Sequence, residues 1–526
     1  MLSSLQTNPQ QTLVTVAAAS LTAFAFRVVY SKLQANKNAK NKLLLKSGDV
    51  PVKPPHVWSW IPYLGSAIEM GTNVTQFIRK NSDANNHAPV FTATVLGDHC
   101  LFIADPEQLT MVFRAKYSKN LDSFSLQKQF TQSVLDCTEE ETNQNFGEDL
   151  TKVTGKQFHH YLFKGEELQN SMEQVQTIFH KLIPQLVNDD DKNGSSSWKE
   201  HNLFDMVVRS IFKATMGPLL SHDIVTDEMY EQFRIFDSGV IALFNNAPSF
   251  LTRQTRRARA YLYQHITTPS FWAQASGFMK ARKEAYLGKD RQLSEGTMYK
   301  SNVGLLWASV GNSAPAVFWV LLLLLEHEDA WKACMDQMET VIAKRGTNQD
   351  NSSNNNVFTL DELDEMTYLE SAFTEALRLY QGNITARRVV KDFVLETKSQ
   401  NYWIEKGTKI MSWWGILHRD PYVFDKPDEF QFDRFVGKSR KDFSFQDGKT
   451  LTHDPVIPFG GGEHLCPGRK FASYETRLYV AMLMQSFDIR LVPGESRPDI
   501  DPAMVGIGVC HPNRDVKVEI RRRQQS

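Results

Sequence analysis

An uncharged, mostly apolar run extends from Leu13 to Phe26, resumes after Arg27 and stops at Tyr30. At about 18 residues it approaches the roughly 20 that a helix needs to cross a bilayer. Arg27, Lys32, Lys37, Lys40, Lys42 and Lys46 follow it, and no Asp or Glu precedes Asp49. That asymmetry predicts a membrane anchor over residues 1–30, with the bulk of the chain in the cytosol. A cleaved signal peptide would carry Lys or Arg ahead of its apolar core, and Met1 to Gln11 has neither. Pro51, Pro54, Pro55 and Pro62 forbid a continuous helix, so 31–62 reads as a basic, proline-rich neck and 63–526 as the globular domain.

From about Pro106 to Lys300 the apolar positions recur at helical spacing, as in LFDMVVRSIFKATM from Leu203. Between Met298 and Glu328 the pattern changes. Val320 to Leu325 is apolar on every side, which predicts a helix buried through the middle of the fold. Asn302, Asn312, Ser313 and Pro315 interrupt this stretch and argue against a second membrane span. Strand-like pieces near 402–413 and KVEIRR at 517–522 add small sheets. The tracts NDDDKNGSSS from Asn188 and GTNQDNSSNNN from Gly346 have the composition of solvated loops. The predicted class is mainly α with small β-sheets, without internal repeats.

Composition narrows the function. Hydrophobic residues at 41% and charged residues at 23% fit a folded globular chain. The 59 basic and 60 acidic residues nearly cancel, which removes the bulk electrostatic case for nucleic acid as a partner. Five widely spaced cysteines without a CxxC pair argue against a disulfide framework or a structural zinc site and fit a reducing compartment.

One cysteine stands in unusual company. Pro458 to Ala472 reads PFGGGEHLCPGRKFA. Gly460, Gly461 and Gly462 free the backbone for positive φ and for close approach to a flat ligand. Cys466, with Pro467 and Gly468 behind it, leads into a helix starting near Arg469, where backbone N–H groups and the helix dipole are expected to lower the thiol pKa. A zinc or iron–sulfur site would need further cysteines at ligand spacing, whereas a haem needs one axial protein ligand.

Phe459, Gly462, His464, Cys466 and Gly468 together resemble the haem-binding signature of the cytochrome P450 family, with His464 where arginine is commoner. The resemblance implies the cytochrome P450 fold and haem b with its iron held by the Cys466 thiolate. It places Phe459 against the macrocycle and His464 on a propionate. Glu375 and Arg378, at i and i+3 in EALR, resemble the family's Glu-x-x-Arg, which Arg434 in DEFQFDRF completes. By the same resemblance ARRVVKD offers Arg387 as a propionate donor, with Arg388 as the alternative. The family's Trp-x-x-x-Arg is absent, since no Trp lies between Trp60 and Trp198, and one propionate contact stays unassigned.

In the long helix Pro315 has no N–H to give to the carbonyl of Gly311, so a kink and a free acceptor are expected beside Asn312 and Ser313. Such a polar notch suits water or dioxygen. Most family members have an acid followed by threonine there. Asparagine, a small residue and then proline resemble the branch containing sterol 7α- and 12α-hydroxylases and prostacyclin synthase, as does the tail from Gly506. This implies a monooxygenase acting on a small apolar substrate such as a sterol or other lipid, with Asn312, Ser313 and ordered water relaying protons. The alternatives are a haem-thiolate isomerase or dehydratase of an oxygenated lipid, needing no reductase, and a non-catalytic haem protein. The hydroxyl of Ser313, like the hydroxylases' threonine, favours the monooxygenase. No dinucleotide fingerprint or flavin domain is evident, so electrons are expected from an NADPH-cytochrome P450 reductase docking on Arg440, Lys441, Lys449, Arg469 and Lys470. The expected location is the endoplasmic reticulum membrane, with 63–526 as a haem-thiolate catalytic domain facing the cytosol.

Overall fold

A 32-residue helix, Glu295–Glu326, runs without interruption through Pro315 and organises the larger of two structural units. The structure is a computed structural model that describes residues 50–61, 63–187, 197–288, 293–347, 357–506 and 508–523. The expected anchor, most of the neck and most of both polar tracts lie outside the described residues.

Six helices build the site: α1 (Ser125–Ser133), α2 (Leu203–Leu219), α3 (Asp227–Phe244), α4 (Glu295–Glu326), α5 (Thr367–Tyr380) and α6 (Arg469–Ser486). α4 starts where the Ser294 side chain accepts the N–H of Thr297, one of the donors a helix start leaves unpaired. By length and composition alone α4 is able to span a membrane, yet 78% of its most apolar window is buried inside the protein. It packs against α2, α5 and α6, as its all-round apolar surface requires. α2 is nearly as enclosed, with Val207, Ile211, Phe212 and Met216 fully buried.

The larger unit also holds a six-stranded sheet in the order β1-β2-β3-β9-β6-β4 and a three-stranded one in the order β10-β11-β5. The first comprises β1 (His56–Val57), β2 (Val90–Val95), β3 (Asp98–Ile103), β4 (Leu121–Asp122), β6 (Ile384–Val389) and β9 (Lys409–Trp413). The second comprises β5 (Lys199–Asn202), β10 (Phe487–Leu491) and β11 (Lys517–Arg522). β1 falls inside the segment read as neck and pairs in parallel with β2, so the compact unit includes residues from Pro55 onward. The smaller unit joins β7 (Phe393–Glu396) and β8 (Asn401–Ile404) as an antiparallel pair, with Val52 bridging Tyr402.

Glu375 on α5 accepts two hydrogen bonds from Arg378, both 2.7 Å, and a third from Arg434 at 2.9 Å. Arg378 also donates to the carbonyl of His418 at 2.6 Å, and His418 Nε2 accepts the N–H of Ile457 at 3.1 Å. Burial holds the His418 pKa down to about 3, so its ring is the neutral acceptor that this bond needs. The buried charge cluster is thereby tied to the segment that enters the cysteine loop.

Candidate active site

The cysteine loop owes its shape to three glycines with different jobs. Gly460 and Gly462 have φ of 72° and 59°, a region that costs an L side chain roughly 1–2 kcal/mol. Gly461 is extended, and a Cβ there would stand 2.8 Å from the Phe113 ring. The carbonyl of Phe459 accepts the N–H of Cys466 at 2.8 Å, which closes the loop and sets the thiol just ahead of α6. Gly468 caps α6 and gives its N–H to the sulfur, while Arg469 Nη1 holds the Cys466 carbonyl at 2.9 Å.

The expected lowering of the thiol pKa does not occur in the protein alone. Burial pushes it above its usual value, and the Gly468 N–H and the Arg469 charge offset only part of that rise. One N–H and a helix end are weaker than desolvation of an anion. The thiolate is thus the form that a bound metal cation stabilises.

Beside the loop, two nitrogen donors converge. His464 is half-buried, sits edge-on to Phe124, the residue that precedes α1, at 4.6 Å between centroids, and its Nε2 has no hydrogen-bond partner among the described residues. Burial, and then the charge of Arg387, hold its pKa down to about 4. Arg387 is buried on β6 with its guanidinium 5.7 Å above the Phe113 ring. A guanidinium that depresses a neighbouring imidazole with an orphaned nitrogen makes a receptor for an anionic oxygen, which is what a haem propionate supplies. The residues therefore fit the cofactor expected from the sequence.

Sequence reasoning missed the contribution of Phe124 and of Gln127 on α1. Gln127 Nε2 lies 3.4 Å from His464 Nδ1. No α1 residue is fully buried.

At the notch, one face of α4 is open. Ala308 is exposed, and Gly304, Leu305 and Asn312 are half-exposed, although their neighbours Val303, Leu306, Val310 and Gly311 are buried. Exposure recurring every three or four residues marks one helix face that the described residues leave uncovered, a recess beside the helix. Asn312 Nδ2 donates to the Ala308 carbonyl and Oδ1 accepts the N–H of Val509, both at 3.2 Å. The recess connects to the cysteine loop through Gln381, which bridges Val509 and donates to the Pro458 carbonyl at 2.6 Å.

One expectation for this notch changes. The Gly311 carbonyl is not left for water or dioxygen, because His511 Nε2 donates to it at 3.1 Å. Ser313 points about 100° away from Asn312 around the helix. Ser313 is buried and bonds the carboxyl of Glu475 on α6, which Thr215 of α2 also engages.

Burial raises the Glu475 pKa from 4.5 to about 8, so in the fold it is a neutral acid at pH 7. A raised folded pKa contributes stability that is fully present below pH 4.5 and lost as the pH climbs to about 8. At roughly 1.4 kcal/mol per pH unit the total amounts to several kcal/mol. Glu475→Gln should therefore flatten the fall in melting temperature between pH 5 and pH 8. A variant with the wild-type slope would place the titration elsewhere.

The family model for "Cytochrome P450" matches residues 55–518. The chain is 26% identical to cholesterol 7-alpha-monooxygenase of Cricetulus griseus over 487 residues, covering 89% of this chain and 93% of that protein. It is 27% identical to prostacyclin synthase of Bos taurus over 500 residues, covering 90% and 95%. The solved structure of a retinoic acid bound cyanobacterial CYP120A1 superposes with a TM-score of 0.66 at 19% identity, covering 90% of this chain and all of that one.

Proposed function

This chain belongs to the cytochrome P450 family and is a haem-thiolate monooxygenase, and on that premise we propose that Cys466 is the iron ligand and that the substrate is a sterol or a comparably bulky apolar lipid. One observation carries the site assignment. The cysteine loop brings a single sulfur to the same place as the Arg387 and His464 pair, the two kinds of group that a haem needs from one side of the protein.

When bound, the haem supplies activation of molecular oxygen by a thiolate-ligated iron. The protein supplies the rest. Phe459, Gly462 and Gly468 shape the loop; Arg387 and His464 would hold the propionates. Asn312 is the polar group at the recess and holds water there for proton transfer. Ser313 joins α4 to the protonated Glu475 and keeps this face of the helix fixed. The sterol assignment rests on the branch to which cholesterol 7-alpha-monooxygenase and prostacyclin synthase belong. A panel of sterols and oxygenated lipids, scored by the absorption change as substrate displaces water from the iron, tests it. A panel in which only small polar compounds shift the spectrum would refute it.

Residues 1–30 form the anchor on this reading, and the endoplasmic reticulum membrane is the location. Electrons come from an NADPH-cytochrome P450 reductase that docks on the face behind Cys466. Arg440, Lys441, Lys449 and Lys470 are exposed, although Lys449 is paired with Asp447. Lys441→Glu with Lys470→Glu should lower reductase-supported NADPH oxidation several-fold, more at low than at high salt, and leave the haem spectrum unchanged. Unaltered kinetics at low ionic strength would move the docking face elsewhere.

A further inference from the structure

Proline at position 315 deprives the Gly311 carbonyl of its helical donor, and His511 takes that donor's place at 3.1 Å. Because a carbonyl only accepts, the proton must sit on Nε2. The ring is 9% exposed and lies edge-on to Phe204 of α2, with centroids 5.6 Å apart. The residues before it are stitched between α4 and the segment after α5. Gly508 O accepts the N–H of Gly382 at 2.8 Å, and Cys510 N–H reaches Tyr380 O at 2.9 Å. Cys510 O accepts Trp319 Nε1–H at 2.7 Å.

This strap touches the recess directly. Gly508 has φ of 131°, and a Cβ on it would stand 2.0 Å from Asn312 Oδ1. Val509 donates to the same oxygen at 3.2 Å. With Oδ1 held by Val509 and one Nδ2 hydrogen on the Ala308 carbonyl, the amide cannot flip without losing both bonds. Its second Nδ2 hydrogen is then the one it presents to the recess.

We propose that His511 is a positioning residue for the oxygen chemistry: by occupying the Gly311 carbonyl it pins the strap Gly508–His511 to α4 and so fixes the orientation of the Asn312 amide. The inference rests on the haem-thiolate reading of the recess. Without His511 the Gly311 carbonyl would have to be satisfied by water, which cannot tie the strap to α4, and the Val509 N–H that orients the Asn312 amide would lose its fixed position.

The test uses the haem-loaded full chain, reduced chemically and given carbon monoxide, whose infrared stretch responds to hydrogen-bond donors close to it. His511→Leu should shift and broaden that stretch. His511→Gln, whose Nε2 reaches the same carbonyl, should restore the wild-type band, which a general loss of packing would not do. Gly508→Ala leaves His511 intact but drives a methyl into Asn312, and should shift the band as well. A folded His511→Leu protein with the wild-type stretch overturns the proposal, and so does failure of His511→Gln to restore it. If His511→Leu does not fold, an unchanged band in Gly508→Ala overturns it. The visible carbon monoxide spectrum of the wild type separates the two levels. Its absence means that the haem-thiolate reading has failed, whereas its presence beside unresponsive variants refutes only the strap.

Discussion

Replacing Glu375 with alanine is expected to leave almost no folded, haem-loaded protein. Its side chain is wholly buried and accepts from Arg378, from Arg434 and from the N–H of Gln431. Without the carboxylate two guanidinium groups stay buried without the anion they share, left to the Phe424 ring and to backbone carbonyls, among them those of His418, Pro427 and Asp425. Removing one partner from a buried ion pair costs about 3–5 kcal/mol, a large part of the 5–15 kcal/mol that holds a typical domain folded. The loss should also reach the cysteine loop, because Arg378 holds His418 and His418 holds Ile457. Arg378→Lys should be nearly as damaging, since an ammonium cannot reproduce the paired bonds of the guanidinium. Soluble yield, thermal unfolding and haem content measure the effect. A soluble Glu375→Ala protein with wild-type haem content would show that the cluster is not what holds the loop.

Cys466→Ser should do the opposite, removing the chemistry while sparing the fold. Serine is close in volume, and the loop is closed by backbone bonds from Cys466 N–H to Phe459 O and from Arg469 to Cys466 O, which do not involve the sulfur. The serine hydroxyl can accept the Gly468 N–H that the sulfur takes, so the apoprotein should lose no more than about 1–3 kcal/mol of stability. Turnover should fall to background, because hydroxyl is a poor substitute for thiolate as an axial donor. Circular dichroism and NADPH-supported product formation report the two halves separately. Residual turnover near the wild-type rate would remove the cysteine from the reaction.

The contrast between these two substitutions also explains what the sequence could and could not disclose. The cysteine loop was readable because its requirements are local: positive φ at Gly460 and Gly462, and close approach at Gly461, restrict residue types over a few consecutive positions. The buried helix around Val320 to Leu325 was readable for the same reason, since an all-round apolar stretch has nowhere to go but the interior. The fate of the Gly311 carbonyl was not. Proline predicts that it lacks a helical donor, but its actual donor, His511, lies 200 residues away. Ser313 likewise reads as half of a polar notch until α2 and α6 bring Thr215 and Glu475 against it. The thiol pKa was misjudged because the helix end is visible in sequence and the burial of the loop is not. The contribution of Phe124 and Gln127 was not legible because nothing local in the sequence shows that they pack against His464, 337 residues after Gln127.

The most direct measurement is the absorption spectrum of the purified wild-type protein, reduced and exposed to carbon monoxide. A haem held by the Cys466 thiolate gives the strongly red-shifted band, and Cys466→Ala loses it. Full haem content in the wild type with a band at the position typical of histidine-ligated haem, or a red-shifted band that survives in Cys466→Ala, would contradict the account.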